Sequence, residues 1–382
     1  MLSEEVSQEE TQIDRPRLTL VIYKMSGGGA QRILSILANY FAEKNWIITL
    51  ITFDDGRQPS FYKLHTSITC RPLSIMRDQR GLVKTLIMHL LRPFVLRKAI
   101  RESKPDVVIA FIDLTNILTL VSTIGLKIPV IISERVNPAY HSIGFFWSTL
   151  RMWVYRWASC LVVQTRDAMS GFSSSIQKIS CIIPNPVIPV NETEGKCVSK
   201  EEHKIIMAMG RLCRQKGFDM LLKAFSRLEK QFPKWHLYIW GEGEEKESLL
   251  KMRDDLGLNE RVFLRGMVND HHGVMMQADI FVLSSRYEGF PNVLGEAMAC
   301  GRPVVSFDCP SGPGEMIVDG VNGLLIRNLN DKDLAEGIQR LMEDELWAKK
   351  LGIEAQKITD TFSMDRVMNI WEKKILEIIK NG

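Results

Sequence analysis

Short apolar runs separated by helical patterns recur along almost the whole 382-residue chain, and that alternation constrains the fold more than any other feature. Candidate strands fall at 18–24, 47–53, 107–111, 129–133, 160–164 and 179–183. A second series falls at 204–209, 235–240, 261–265, 280–283, 303–307 and 323–326. Strands alternating with helices predict parallel sheets joined by crossover helices. The two series are separated by a stretch rich in Pro, Asn, Glu and Lys, roughly 184–203, which reads as an interdomain linker. The chain is long enough for two domains with substantial cores. The expected division is a tail (1–16), a first Rossmann-like domain (17–183), the linker (184–203), a second Rossmann-like domain (204–360) and a C-terminal segment (361–382).

Charge argues against several function classes. A net charge of +4 is too small to point to nucleic acid. The acidic, hydrophobe-poor start reads as a disordered tail, and it lacks the basic start and apolar run of a signal peptide. Residues 107–126 just reach the length of a bilayer-crossing helix, yet Asp113 and Asn116 sit mid-segment. The preferred reading is a buried strand, a polar turn at Asp113 and a core helix. No C-x-x-C pair or zinc-spaced Cys–His cluster occurs among the seven cysteines. His271 and His272 are expected to be solvated in a polar linker. Asp331-Lys332-Asp333 reads as a helix cap and first turn rather than as a metal site.

Chemistry concentrates in the loops that follow strands. Glu288 lies in a Gly/Pro-marked loop just after the 280–283 strand. Glu296 lies about one turn into a helix that Asn292 is suited to cap. Two carboxylates then bracket one pocket at the carboxyl end of a strand, where open α/β sheets bind ligands. The N–H groups near Val293 and Leu294 are expected to form an anion seat between them. Arg211 and Lys216 flank a glycine-marked turn after the 204–209 strand and are suited to reach one diphosphate. Near the start, Gly27, Gly28 and Gly29 open a helix from about Ala30, so a ligand can approach the backbone closely.

Taken in order, GGGAQR (27–32), SERVNP (133–138), GRLCRQKG (210–217), GEG (241–243), Glu288-x7-Glu296 and SGPGEMIVDGVNGLL (311–325) resemble the retaining glycosyltransferases of family 4. The likeness covers nearly everything beyond residue 17 and is nearest the bacterial branch that builds exopolysaccharide, O-antigen and lipid-linked oligosaccharide. It implies a GT-B fold, two Rossmann-like domains facing a cleft with the last helix (amphipathic at 363–379) crossing back. It implies Arg211, Lys216 and Glu288 as the catalytic set. Gly210, Gly241, Gly266, Gly289, Phe290, Pro291, Asn292, Val293, Leu294 and Glu296 would be the donor-binding set. Gly27, Gly28, Gly29, Arg32, Ser133, Glu134 and Arg135 would face the acceptor. In such enzymes Glu288 would touch donor-sugar hydroxyls and Glu296 the ribose.

The implied reaction moves a hexose or N-acetylhexosamine from a UDP-sugar to a polyprenyl-diphosphate-linked saccharide, with retention and without a metal. Glu288→Ala is expected to abolish transfer and leave the fold intact. The implied location is the cytoplasmic face of the inner membrane, held peripherally. The basic, apolar stretch 77–104, with Lys84, Arg92, Arg97, Lys98 and Arg101, is the candidate contact, split or kinked at Pro93. The aromatic run 144–157 is expected to pack mainly in the core, with peripheral membrane docking as the second reading. Alternatives kept open are a sugar-nucleotide epimerase or hydrolase of similar fold, and a non-catalytic subunit that binds nucleotide sugar. A dinucleotide oxidoreductase is disfavoured, because both G-x-G patterns put Lys246 or Arg32 where the third glycine belongs.

Overall fold

A computed structural model of the chain describes residues 15–76, 82–141, 143–190, 203–268 and 270–381, with the side chains of 82–90 excepted. Most of the expected acidic tail and most of the linker lie outside these residues, as does the side chain of Lys84. The first sheet has seven strands: β1 (Arg17–Ile22), β2 (Ile47–Thr52), β3 (Thr69–Pro72), β4 (Val107–Phe111), β5 (Val130–Ser133), β6 (Cys160–Val163) and β7 (Ser180–Ile182). Their order is β3-β2-β1-β4-β5-β6-β7. The second has six: β8 (Lys204–Met209), β9 (Trp235–Trp240), β10 (Val262–Gly266), β11 (Ile280–Leu283), β12 (Val304–Phe307) and β13 (Leu324–Ile326), in the order β10-β9-β8-β11-β12-β13. The pairings within each sheet are parallel. Packing groups the described residues into two compact units. One comprises the described residues up to Ser133 with Leu150–Cys160 and those from Ile375 on; the other comprises the described residues of Glu134–Thr149 and Leu161–Lys374.

Side-chain alternation explains why the six-stranded sheet carries two cores. Ile206 and Ala208 of β8 point to one face, where Leu221, Leu222 and Phe225 of the helix Phe218–Ser226 cover them. Ile205, Met207 and Met209 point to the other, against Leu294, Ala297 and Met298 of the helix Asn292–Ala299. A strand buried on both faces has no polar positions, so it reads as a continuous apolar run. In each sheet the chain reverses direction of travel at one point, between β1 and β4 and between β8 and β11. The crevice outside the strand ends at such a point is where open sheets bind ligands.

The segment resembling a membrane span resolves into β4, fully buried, followed by the helix Asp113–Thr123, which Asp113 itself opens. Asn116 is buried there because its Nδ2 donates to the Ser133 carbonyl (3.1 Å) and to the Tyr155 hydroxyl (3.2 Å). Among the described residues no helix is long and apolar enough to cross a membrane. The last helix, Met364–Asn381, is grouped with the second unit up to Lys374 and with the first from Ile375.

Two expectations are corrected, and of the split or kink expected at Pro93 the split is excluded. The helix Leu82–Ser103 runs through Pro93 without splitting, and two of its cations are engaged: Arg92 donates to Ile75 O (2.8 Å) and Arg97 to Ser122 O and Ile124 O. The aromatic run is not mainly core. Val154 and Tyr155 are buried, but Phe145 is 91% exposed and Trp153 64%, because no described element covers that side of the helix Phe145–Val154. The helix Asp331–Glu343 is capped by Asn330, whose side chain accepts from the Asp333 N–H, and Asp331 is its first residue.

Candidate active site

The loops leaving β8 and β11 form the best-built polar site in the second unit. After Met209 the chain makes a single tight turn, Arg214–Lys216, then passes through Gly217 at φ 64° into the helix Phe218–Ser226. That left-handed backbone suits glycine, and a Cβ there would also strike the Ser284 carbonyl. The turn is laced to the loop after β11. Ser284 Oγ donates to Lys216 O (2.9 Å), Arg286 N to Gln215 O (2.8 Å) and Gln215 Nε2 to Tyr287 O (2.9 Å). Arg286 also grips Asp219 with two parallel hydrogen bonds of 2.8 and 2.7 Å. Burial alone would raise the Asp219 carboxyl, but Arg286 and nearby backbone N–H groups carry it below its ordinary 3.8.

This lacing sets Lys216 Nζ 2.6 Å from Glu288 Oε1, with both side chains mostly withdrawn from water. Ser285 Oγ donates to the same carboxylate oxygen at 2.6 Å. The neighbouring Cys309 thiol is pushed up by burial, with the Glu288 charge adding to the effect and Lys216 opposing it. The Arg211 side chain is exposed and makes no hydrogen bond or ion pair with the described residues. Gly210, Gly241 and Gly266 stand at the carboxyl ends of β8, β9 and β10. Gly210 N donates to Trp240 O and Gly241 N to Gly266 O (2.8 Å), and a Cβ at Gly241 would enter the Gly210 carbonyl.

The helix start differs from expectation. Asn292 is the first helical residue, not the cap, and its Oδ1 accepts from Asn185 Nδ2 (2.8 Å). The Leu294 N–H is taken by Pro291 O (2.9 Å), so it does not contribute to an anion seat. Phe290 and Leu294 are buried, Phe290 edge-on against Phe362, while Val293 packs against the same core. Gly289 is buried so close to Arg135 that a Cβ would collide with the Arg135 carbonyl. Arg135 Nη1 donates to Asn185 Oδ1 (2.8 Å), and burial pushes this guanidinium down to about 9 while Glu134 opposes that shift. Arg135 stays a cation at neutral pH.

Glu134 lies in the same unit, buried, with an oxygen 3.3 Å from the Arg135 N–H. Two quoted motifs meet through Asn137, whose Nδ2 donates to Asp167 Oδ2 (2.9 Å) and to Ser311 Oγ (3.1 Å). Glu296 is buried, and His271 Nδ1 lies 3.3 Å from its Oε2, so His271 is not the solvated residue expected. The other predicted residues are in the first unit. Gly27, Gly28 and Gly29 precede and open the helix Gly29–Glu43. The Gly28 N–H donates to the Tyr62 hydroxyl, which donates back to Gly28 O. Arg32 follows one turn on, its pKa lowered by burial against the opposing influence of Tyr62. Ser133 ends β5, fully buried. Asn185, Ser285, His271 and Tyr62 were not singled out from sequence as site residues. Ser285 alone carried a signal, as a polar residue beside Glu288.

Residues 190–358 match the family described as "Glycosyl transferases group 1". Among similar proteins is the GalNAc-alpha-(1->4)-GalNAc-alpha-(1->3)-diNAcBac-PP-undecaprenol alpha-1,4-N-acetyl-D-galactosaminyltransferase of Campylobacter jejuni. It is 29% identical over 363 residues, covering 95% of this chain and 99% of that one. A second C. jejuni protein, an N-acetylgalactosamine-N,N'-diacetylbacillosaminyl-diphospho-undecaprenol 4-alpha-N-acetylgalactosaminyltransferase, is 26% identical over 92% of this chain and 97% of its own. The crystal structure of Anabaena HepE with UDP and glucose superposes with a TM-score of 0.79 at 18% identity, covering 94% and 99% of the two chains. Residues 190–358 thus match a glycosyl transferases group 1 domain, and the chain as a whole has the GT-B fold.

Proposed function

We propose that the chain is a retaining transferase of family 4 that moves a hexose or N-acetylhexosamine from a UDP-sugar to a polyprenyl-diphosphate-linked saccharide. The observation that carries this reading is the withdrawn Lys216–Glu288 pair at the carboxyl ends of β8 and β11, with the exposed Arg211 on the same loop. A donor diphosphate entering there draws Lys216 and Arg211 to its oxygens and releases Glu288 to accept from a sugar hydroxyl. The bond from the anomeric carbon to the diphosphate oxygen then breaks. The acceptor oxygen bonds to that carbon on the same face, and its proton passes to the leaving diphosphate. Donors already aimed at the developing charge are typically the largest catalytic contribution.

Glu296, steadied by His271, takes the ribose hydroxyls in this reading. Arg135 and Arg32 are the candidates for an acceptor diphosphate. The names of the two Campylobacter relatives support an N-acetylhexosamine donor and an undecaprenyl-diphosphate acceptor. Such an acceptor brings the enzyme to the cytoplasmic face of the inner membrane. No metal is invoked, since Arg211 and Lys216 supply the positive charge.

The test is nucleotide release from a panel of UDP-sugars, with and without short polyprenyl-diphosphate saccharides, with products weighed by mass spectrometry. Acceptor-dependent release with one added sugar mass, unaffected by EDTA, is the expected result. Acceptor-independent turnover would establish the hydrolase or epimerase instead. A large Mg²⁺-reversible loss with EDTA would refute the metal-free reading.

A further inference from the structure

We infer that the outward face of the helix Phe145–Val154 and the turn after it is a docking surface for an anionic lipid bilayer. This deepens the proposed reading by naming the element that meets the membrane on which a lipid-linked acceptor would lie. The positions concerned are Phe145, Phe146, Thr149, Met152, Trp153 and Arg156. Their spacing puts them on one side of a helix. Phe145, Phe146, Met152, Trp153 and, just beyond, Trp157 are all more than half exposed. The opposite side is anchored, since Val154 and Tyr155 are buried and the Tyr155 hydroxyl accepts from Asn116. The stripe is therefore held rigidly outward, and a continuous apolar face of this kind marks an interaction site.

Composition and charge select the occupant. Phenylalanine and tryptophan suit the boundary between headgroups and acyl chains, because an indole offers an apolar body and one N–H. From Leu114 to Arg166 the only acidic residue is Glu134, which is buried, whereas Lys127 and Arg156 are exposed cations. The Arg156 guanidinium lies 5.6 Å from the Trp153 ring, beside the stripe and open to solvent. Trp157 also borders an apolar recess of about 380 Å³ with Leu120, Ile124, Ile128 and Val130, beside Lys127. Exposed rings beside exposed cations match anionic headgroups above acyl chains. The helix Leu82–Ser103, expected from its sequence to fill this role, has Arg92 and Arg97 committed to backbone carbonyls.

The experiment is co-sedimentation of the full chain with vesicles of phosphatidylcholine, alone or mixed with phosphatidylglycerol. Three proteins are compared: wild type, Phe146→Ser/Trp153→Ser, and the control Leu346→Ser, which removes an exposed apolar side chain elsewhere. Wild type and the control should sediment with the mixed vesicles and release with salt. The double variant should bind at least about tenfold more weakly with an unchanged melting temperature. Equal binding by the double variant, or no binding by wild type, would overturn the proposal. Self-association in place of vesicle binding, abolished by the double variant, would assign the face to a second copy and overturn it too. Transfer to a short-chain, water-soluble acceptor is read separately without vesicles. Failure there counts against the transferase reading and leaves the docking result standing.

Discussion

Removing Glu288 should damage the fold as well as the reaction, which changes the second half of the expectation drawn from sequence. Lys216 Nζ and Glu288 Oε1 are 2.6 Å apart, with side chains 17% and 6% exposed. At an effective dielectric of about 20 that separation corresponds to roughly 6 kcal/mol of gross attraction, most of it offset by desolvating two ions. The net worth of the pair is therefore small, but the cost of leaving one member alone is not. Glu288→Gln keeps an acceptor for Ser285 and strands the Lys216 cation, at about 3 kcal/mol, the low end for a broken buried pair because Lys216 keeps some exposure. Lys216→Met strands the carboxylate with Ser285 as its remaining side-chain donor among the described residues, for a similar loss. The double variant has no stranded charge and should be less destabilised than the sum by about 2 kcal/mol or more. Urea unfolding of the four proteins measures this coupling. All three variants should lose transfer by about 10²–10³-fold, so the double variant would be stable yet inactive. Singles within about 0.5 kcal/mol of wild type, with additive effects, would show that the pair is a solvated contact and refute the reasoning.

Gly289→Ala should cost about 3 kcal/mol or more, since the new Cβ meets the Arg135 carbonyl, which cannot swing aside. Gly320→Ala, at φ 74° with open space around it, should cost about 1 kcal/mol; similar melting temperatures for the two would count against the packing described. Arg286→Met should lower stability by about 1 kcal/mol at neutral pH. Because the Asp219 carboxyl sits below its unfolded value, the stabilisation it draws from Arg286 is present above about pH 4 and is lost as pH falls through the folded pKa. The wild-type advantage should therefore shrink on the acid side, and a difference independent of pH would refute the assignment.

What the sequence alone determined is local. Buried parallel strands leave continuous apolar runs and crossover helices leave a helical period, so both sheets and the loops carrying Arg211, Lys216 and Glu288 were legible. The strand that escaped, β3, has the sequence TCRP with mostly exposed side chains, so neither of its faces writes an apolar run. What only the tertiary structure decided is which groups meet. Glu288 finds Lys216 from 72 residues away, Glu296 finds His271 from 25, and Asn185, inside the presumed linker, joins Arg135 to the start of a helix. The aromatic run shows the same division. Its spacing dictated a helix, but whether Phe145 and Trp153 face a core or the outside depends on which other element covers them. That coverage is set by packing between segments distant in the chain, and periodicity within one segment carries no record of it.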